Sequence, residues 1–532
     1  MKSLTLPRLV VAIAFASLFA MAVRTPADTD MWWHLRSGQY IVETQTLPLT
    51  DPFSHTKAGE PWVNHSWLAQ IALYSAYALA SFPALALLAA LLVLVAFGFA
   101  WKQMEGGPFL RAFILVLAAS TSAVIWAPRP QMFTFALTAV VGYLIYLYKW
   151  RQVDRLWLLP PLFVLWANLH GGFAVGFILL AGAIGGEVIN HLLRHDGPEV
   201  LSWRRLGKLA GLAAASYALL ILNPNTTALY TYPLRTVNIG VLRDFIQEWS
   251  SPDFHLLFVQ PFIWMLIATL AAIGWSGRRL DGGDFALLAG FAYSALLAGR
   301  NIAPFALVAA PILSRYARPA IERVRSASRG AVVGGDSGRR PSAESASGEA
   351  VVGGGPGRRP SAESASAPSA PLRGSSRDAS YKGIVALNWI ILTSVLLLAA
   401  VKIVAALAPV VQEKAERDML PVDAANWIEA NRPTGSMFNS YNWGGYLIWR
   451  LWPEYAVYVD GRTDLYDDAF LRDYLEVAGA QPGFETILDR NQVDWIIIEA
   501  NSALDAALSR ETQWANVYRD KLAVMFRRAA QP

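Results

Sequence analysis

Carboxylates, imidazoles and indoles crowd the stretch from Arg24 to Trp67, RTPADTDMWWHLRSGQYIVETQTLPLTDPFSHTKAGEPWVNHSW, which lies between two apolar runs. An ionised carboxylate beside a membrane span is costly unless it is paired, solvated or used, so Asp30 and Asp28 are candidate catalytic groups. The neighbouring Trp32, Trp33 and Trp62 could stack on a sugar ring; an interfacial aromatic belt is the other use of such residues. Three later turns add polar groups in apolar company: Pro128-Arg129-Pro130-Gln131, Trp166 to Gly172 with Asn168 and His170, and Gly299-Arg300-Asn301. Arg129 and Arg300 could each hold a phosphate or pyrophosphate bidentately, or pair with a loop carboxylate. Five of the seven histidines (His34, His55, His65, His170, His255) fall on this same face without a metal-binding spacing such as HExxH. Glu248, beside Trp249, lies in a segment from Asn223 to Phe254 long enough to fold over a cleft.

The elements that must position these groups are mostly membrane spans. The chain has 532 residues, 54% hydrophobic and only 16% charged, which marks a polytopic α-helical membrane protein. About eleven spans are expected: Leu9–Val23, Pro83–Trp101, Leu110–Ala127, Gln131–Tyr148, Leu156–Leu169, Phe173–Asn190, Gly207–Leu222, Leu257–Trp275, Phe285–Gly299, Ile302–Ser314 and Ile384–Val404. Trp67–Ala80 is too short to span and reads as an amphipathic helix at the interface. With that choice Lys102, Lys149, Arg204, Arg205, Arg278 and Arg315 all fall on the cytoplasmic side, as the positive-inside rule requires. The N-terminus is then cytoplasmic in the inner membrane, and loop 24–67 is external. Ala20-Met21-Ala22 also resembles a signal-peptidase site, but the acidic loop follows directly and an uncleaved span is favoured.

Four regions follow: a membrane module over 1–315, a linker over 316–383, a last span over 384–408 and a small α/β domain over 409–532. The linker is Gly/Ser/Pro/Arg-rich and holds a tandem repeat, AVVGGDSGRRPSAESAS then AVVGGGPGRRPSAESAS, a composition expected to stay disordered in the cytoplasm. The last region carries a net charge of about −7, with strand-like runs at Tyr455–Val459 and Trp495–Glu499 and helical patterns at Asp423–Ala430, Ala469–Ala478 and Phe484–Asn491. An odd span count places it outside the membrane. The chain lacks cysteine, which excludes disulfides and thiolate chemistry, and its basic residues follow membrane orientation rather than a nucleic-acid surface.

The acidic first loop in ADTDMWWHL, the many spans and the C-terminal α/β domain together resemble the GT-C superfamily of membrane glycosyltransferases. SYNWGGYLIW (Ser440–Trp449), VYVDGRTD (Val457–Asp464) and Glu248 in EWSSPDF are similar to motifs of the oligosaccharyltransferase catalytic subunit. The resemblance implies transfer of a sugar from a polyprenyl-phosphate donor to a glycan, lipid or protein acceptor. It makes Asp30 the acceptor-orienting base, with Asp28 and Glu248 as further acids. It places Trp32, Trp33, His34, His65, Arg129, Asn168, His170, Arg300 and Asn301 around the donor, and Asn442, Trp443, Tyr446, Asp460 and Arg462 in an acceptor domain. Trp443 stands where that family has its sequon-reading aspartate, and the loop around Arg129 lacks the family's acidic metal-binding pair. No cofactor motif is present, and a divalent metal touching Asp30 and Glu248 is the one cofactor the resemblance admits. A flippase for lipid-linked sugars would need charges at mid-membrane, whereas the span centres here are apolar. A non-catalytic assembly protein of the same fold is the remaining alternative.

Overall fold

The computed structural model describes residues 4–195, 197–237, 239–246, 248–334 and 374–529. Helices dominate because long Ala-, Leu- and Val-rich runs satisfy their backbone groups internally, as lipid-facing segments must. Among the described residues six helices are long and apolar enough to cross a membrane: Trp67–Gln103, Pro108–Ile125, Gln131–Trp150, Phe173–Leu192, Trp203–Leu222 and Lys382–Ala406. Leu6–Ala22, Leu156–Leu169, Gln260–Ser276 and Gly282–Leu297 are apolar but shorter. Ile302–Gly334 packs among them with Ala303, Ala306, Ala309 and Ala310 wholly buried, small side chains that let helices approach closely.

The long Trp67–Gln103 element is two helices joined at a kink, with Ala80 and Ser81 outside helical geometry (Ser81 φ 52°). Pro83 explains the break, since it has no N–H to donate and its ring crowds the carbonyl a turn earlier. The kink falls where the expected interfacial helix ends. At the other side of the bundle, helix Ile302–Gly334 runs well past the expected end at Ser314. Its charged continuation is a good helix former and carries an Arg318–Glu322 pair at 3.1 Å one turn apart. Likewise the last apolar helix begins at Gly374 rather than Ile384. The expected linker 316–383 is therefore helical at both edges, and its repeat beyond 334 lies outside the described residues.

Charges inside the helices neutralise one another, as a low-dielectric interior demands. Lys149 contacts Glu187 and lies 2.8 Å from Asp281, while Arg315 pairs with Asp284 at 2.5 Å. These pairs gather near the C-terminal end of Gln131–Trp150, whereas Arg129 precedes the N-terminal end of the same helix.

The C-terminal region contains a four-stranded sheet, β1 (Ser436–Asn439), β2 (Val493–Glu499), β3 (Trp514–Arg519) and β4 (Ala523–Arg528), in the order β1-β2-β4-β3. β1 and β2 are parallel and the other pairs antiparallel. Helices Val422–Asn431, Asp468–Ala478 and Phe484–Arg490 lie where helical patterns were expected. Tyr455–Val459 does not join the sheet: Val457 makes one isolated bridge to Ser54 of the first loop instead.

That bridge reflects a larger union. Loop 24–67 and the C-terminal region share one hydrophobic core, in which Trp32, Phe53 and Trp62 pack with Leu447, Ile448 and Trp495. A buried ion-pair knot pins it: Arg462 donates to Asp460 at 2.7 and 2.8 Å and to Asp51 at 2.5 Å, and Tyr466 donates to Asp460 at 2.9 Å. Each charge is thus paired and hydrogen-bonded, the condition under which burial is tolerated.

Candidate functional site

Helix Met31–Thr44 begins with exposed backbone donors, and Asp28 Oδ1 accepts two of them, from Asp30 N at 2.9 Å and Met31 N at 3.2 Å. Asp28 is therefore committed to ending the helix. Asp30, at the N-cap position, keeps its side chain free to point elsewhere, and it meets Arg129. Arg129 sits between Pro128 and Pro130, whose rings restrict the turn that presents it.

The guanidinium touches a carboxylate with each nitrogen. Nη1 lies 2.6 Å from Asp30 Oδ2, Nη2 3.0 Å from Glu248 Oε2, and Nε 3.3 Å from Asp28 Oδ2. Glu248 is anchored by backbone: Arg300 N donates to Glu248 O at 3.0 Å and Gly299 N to Ser250 O at 3.1 Å. The turn Gly299–Asn301 thus holds the acid-bearing segment over the site. From the C-terminal region, Gly461 and Gly445 press against the same corner. A Cβ on Gly461 would lie 2.0 Å from Asp30 Oδ1, and one on Gly445 2.8 Å from Thr29 O.

These surroundings separate Asp30 from Glu248 electrically. Burial raises Asp30 to about 6; Arg129 opposes this, while Asp28 and Glu248 add to it. Burial pushes Glu248 up as well, but Arg129 and Arg300 outweigh it and hold Glu248 below its ordinary range. Arg129 is itself held above its usual value, because the carboxylates more than offset its burial. A carboxylate that changes charge near pH 6 is suited to accepting a proton near neutrality.

Beside the acids lies a donor-rich edge. His65 Nδ1 accepts from Gly171 N at 3.1 Å and His170 Nδ1 from Gly172 N at 3.1 Å. A peptide N–H can only donate, so in each neutral ring the proton sits on Nε2, which has no protein partner among the described residues. Burial first, then Arg300, depresses His65 to about 3; burial with His65, Arg300 and Arg129 holds His170 well below its usual value. The two rings are 5.6 Å apart, and Tyr232 lies 4.4 Å from His65. Arg300 stacks over Trp249 at 4.2 Å and, among the described residues, has no carboxylate within ion-pair distance.

Asp28, Asp30, Glu248 and Arg129 thus converge, and His65, His170 and Arg300 form the adjoining edge. Other expected site residues are used internally. Trp32 and Trp33 are buried, Trp32 against Phe82 and Tyr446 and Trp33 against His34 and Trp62, so their rings serve the core rather than an open sugar platform. His34 is buried beside Gln70, 3.4 Å from its Nδ1. Asn168 accepts from Trp67 Nε1 at 2.8 Å, and Asn301 donates to Ser294 O at 2.9 Å. Trp443 donates to Met419 O at 3.1 Å, and Tyr446 is buried and accepts from Arg450. Asp460 and Arg462 form the buried knot described above, so they hold the region together instead of facing an acceptor. Asn442 is exposed. Sequence reasoning missed Gly461 and Gly445, whose value is the absence of a side chain, and Tyr232, which no neighbouring polar cluster signals. It also missed Asp464, raised by burial to about 6.

No family model and no curated protein matches the chain. Among solved structures it is similar to the archaeal oligosaccharyltransferase AglB of Archaeoglobus fulgidus, solved with an inhibitory peptide and a dolichol-phosphate. That match has TM-score 0.54 and 11% identity, covering 92% of this chain and 69% of that one. It is also similar to apo ArnT of Cupriavidus metallidurans, with TM-score 0.50, 14% identity and 97% coverage of both chains. Both are GT-C glycosyltransferases. The fold is therefore a helical, membrane-type, GT-C-like fold with a small C-terminal sheet.

Proposed function

We propose that the chain is a membrane glycosyltransferase that moves a sugar from a polyprenyl-phosphate donor to an acceptor on the outer side of the inner membrane. The observation that carries this is the juxtaposition of a base titrating near 6, Asp30, with a separate edge of donors, Arg300, His65 and His170. In the reaction, Asp30 Oδ1 takes the proton of an acceptor hydroxyl as its oxygen bonds to the anomeric carbon. The bond from that carbon to the phosphate oxygen breaks, its electron pair leaves with the lipid phosphate, and configuration inverts. Arg300 and the two Nε2–H groups neutralise the departing charge, and preorganised donors of this kind supply large rate terms in a dry site. The polyprenyl tail lies along the apolar surface between spans. Arg129 holds the acids and is not a phosphate ligand. Turnover of a radiolabelled polyprenyl-phosphate sugar by the purified chain tests the proposal, and folded protein inert across a panel of such donors and acceptors supports the non-catalytic reading instead.

A further inference from the structure

We infer that Arg129 stands where a divalent cation would otherwise gather the site's carboxylates, so that transfer here proceeds without one. The inference rests on the glycosyltransferase reading above. Three acids from two distant segments, Asp28 and Asp30 from the first loop and Glu248 from the Asn223–Phe254 segment, meet at one point. Like charges so placed repel unless a cation lies among them. Here that cation is a side chain: each guanidinium nitrogen faces one carboxylate, at 2.6, 3.0 and 3.3 Å. Arginine is permanently charged, and its flat fork matches several carboxylates at once.

The geometry of this donor set does not suit a metal. A hard divalent ion needs oxygen ligands at about 2.0–2.6 Å around a shared centre, and that centre is filled by the guanidinium, partly buried and flanked in sequence by two prolines. Among the described residues no group of three or more His, Asp or Glu side chains is arranged to hold a metal ion. The nearby histidines also turn Nδ1 toward backbone donors rather than toward the acids.

The test uses Mn2+ uptake, read by electron paramagnetic resonance, and thermal stability in detergent, alongside sugar transfer. Wild-type protein is expected to take up no stoichiometric Mn2+ and to keep its Tm and its transfer rate in chelator. Arg129→Ala opens the centre: it is expected to bind stoichiometric Mn2+ and to melt higher with Mn2+ than with chelator. Adding Glu248→Gln to Arg129→Ala should abolish that binding, which locates the ion. Arg129→Lys should remain metal-independent. Wild-type protein that binds Mn2+ in a Glu248-dependent way, wild-type transfer lost in chelator and restored by Mn2+, or folded Arg129→Ala that binds none would each overturn the inference. Should Arg129→Ala fail to fold even with Mn2+, the wild-type binding result decides alone. Wild-type protein that transfers no sugar with or without Mn2+ would count against the glycosyltransferase reading, while Mn2+ binding still decides the role of Arg129.

Discussion

Arg129 Nη1 lies 2.6 Å from Asp30 Oδ2, which leaves Asp30 Oδ1 with only a long contact to Trp33 Nε1 at 3.4 Å. One oxygen of the carboxylate is anchored and the other is available. A base held this way is oriented without being fully neutralised, because Arg129 is shared with Asp28 and Glu248.

The sharing predicts a pH signature. Asp30 must be ionised to accept a proton, so kcat/KM should rise with pH through about 6 and level above it. Glu248 is one of the negative charges that raise Asp30. Glu248→Gln removes that repulsion and leaves Arg129 to Asp28 and Asp30, so the acidic limb should move to lower pH. A limb that stays in place or moves upward would show that Asp30 is not the titrating base.

In the proposed reaction Arg300 is the cation that meets the leaving phosphate. Arg300→Ala should lower kcat/KM by about 10²-fold, the typical cost of losing one preorganised charge-stabilising donor. Arg300→Lys should recover part of this, since it keeps the charge and loses the planar fork. Equal, small effects of both variants in a transfer assay would move the phosphate elsewhere.

Gly461 reports whether the C-terminal region shapes the site. A methyl group there would meet Asp30 Oδ1 at 2.0 Å, so Gly461→Ala must displace the carboxylate. Misplacing a reacting group by about 1 Å can cost about 10²-fold, and that loss should appear with little change in melting temperature. Breaking the knot should do the reverse: Arg462→Leu leaves the buried Asp460 and Asp51 without their compensating positive charge, a change that costs about 3–5 kcal/mol in unfolding experiments.

Topology is directly testable because the chain has no native cysteine. Glu60 and Arg204 are both exposed and lie on opposite sides in the proposed orientation. A membrane-impermeant maleimide should label Glu60→Cys in intact cells or spheroplasts, and Arg204→Cys only after permeabilisation. The opposite pattern would reverse the orientation.

The acids and cations of the site were legible because each stands beside an apolar run, where a charge is costly and therefore informative. Their meeting at Arg129 was not, since three sequence neighbourhoods come together only through tertiary packing. Residue type also misled in specific ways. Trp32 and Trp33 suit a sugar or a core equally, and packing against Phe82, Tyr446 and Trp62 decides for the core. The resemblance puts Asp460 and Arg462 in an acceptor domain, yet Arg462 finds Asp51 some 411 positions upstream and both are buried. Val457 has strand character and pairs with the first loop instead of the sheet, because the two regions share a core. The helical bundle itself was readable, since apolar length and the lipid environment allow few other structures.

Asp28 and Asp30 offer the most direct test, because they are two residues apart and hold different tasks. Asp28→Asn keeps an oxygen to cap the helix and should retain measurable sugar transfer, whereas Asp30→Asn should remove it by about 10²–10⁴-fold, the range for a lost general base. Both variants should insert and melt like the parent. Transfer of radiolabelled sugar from a polyprenyl-phosphate donor, measured side by side for the three proteins, should fall to background for Asp30→Asn alone. Undiminished transfer by a folded Asp30→Asn protein would contradict the account.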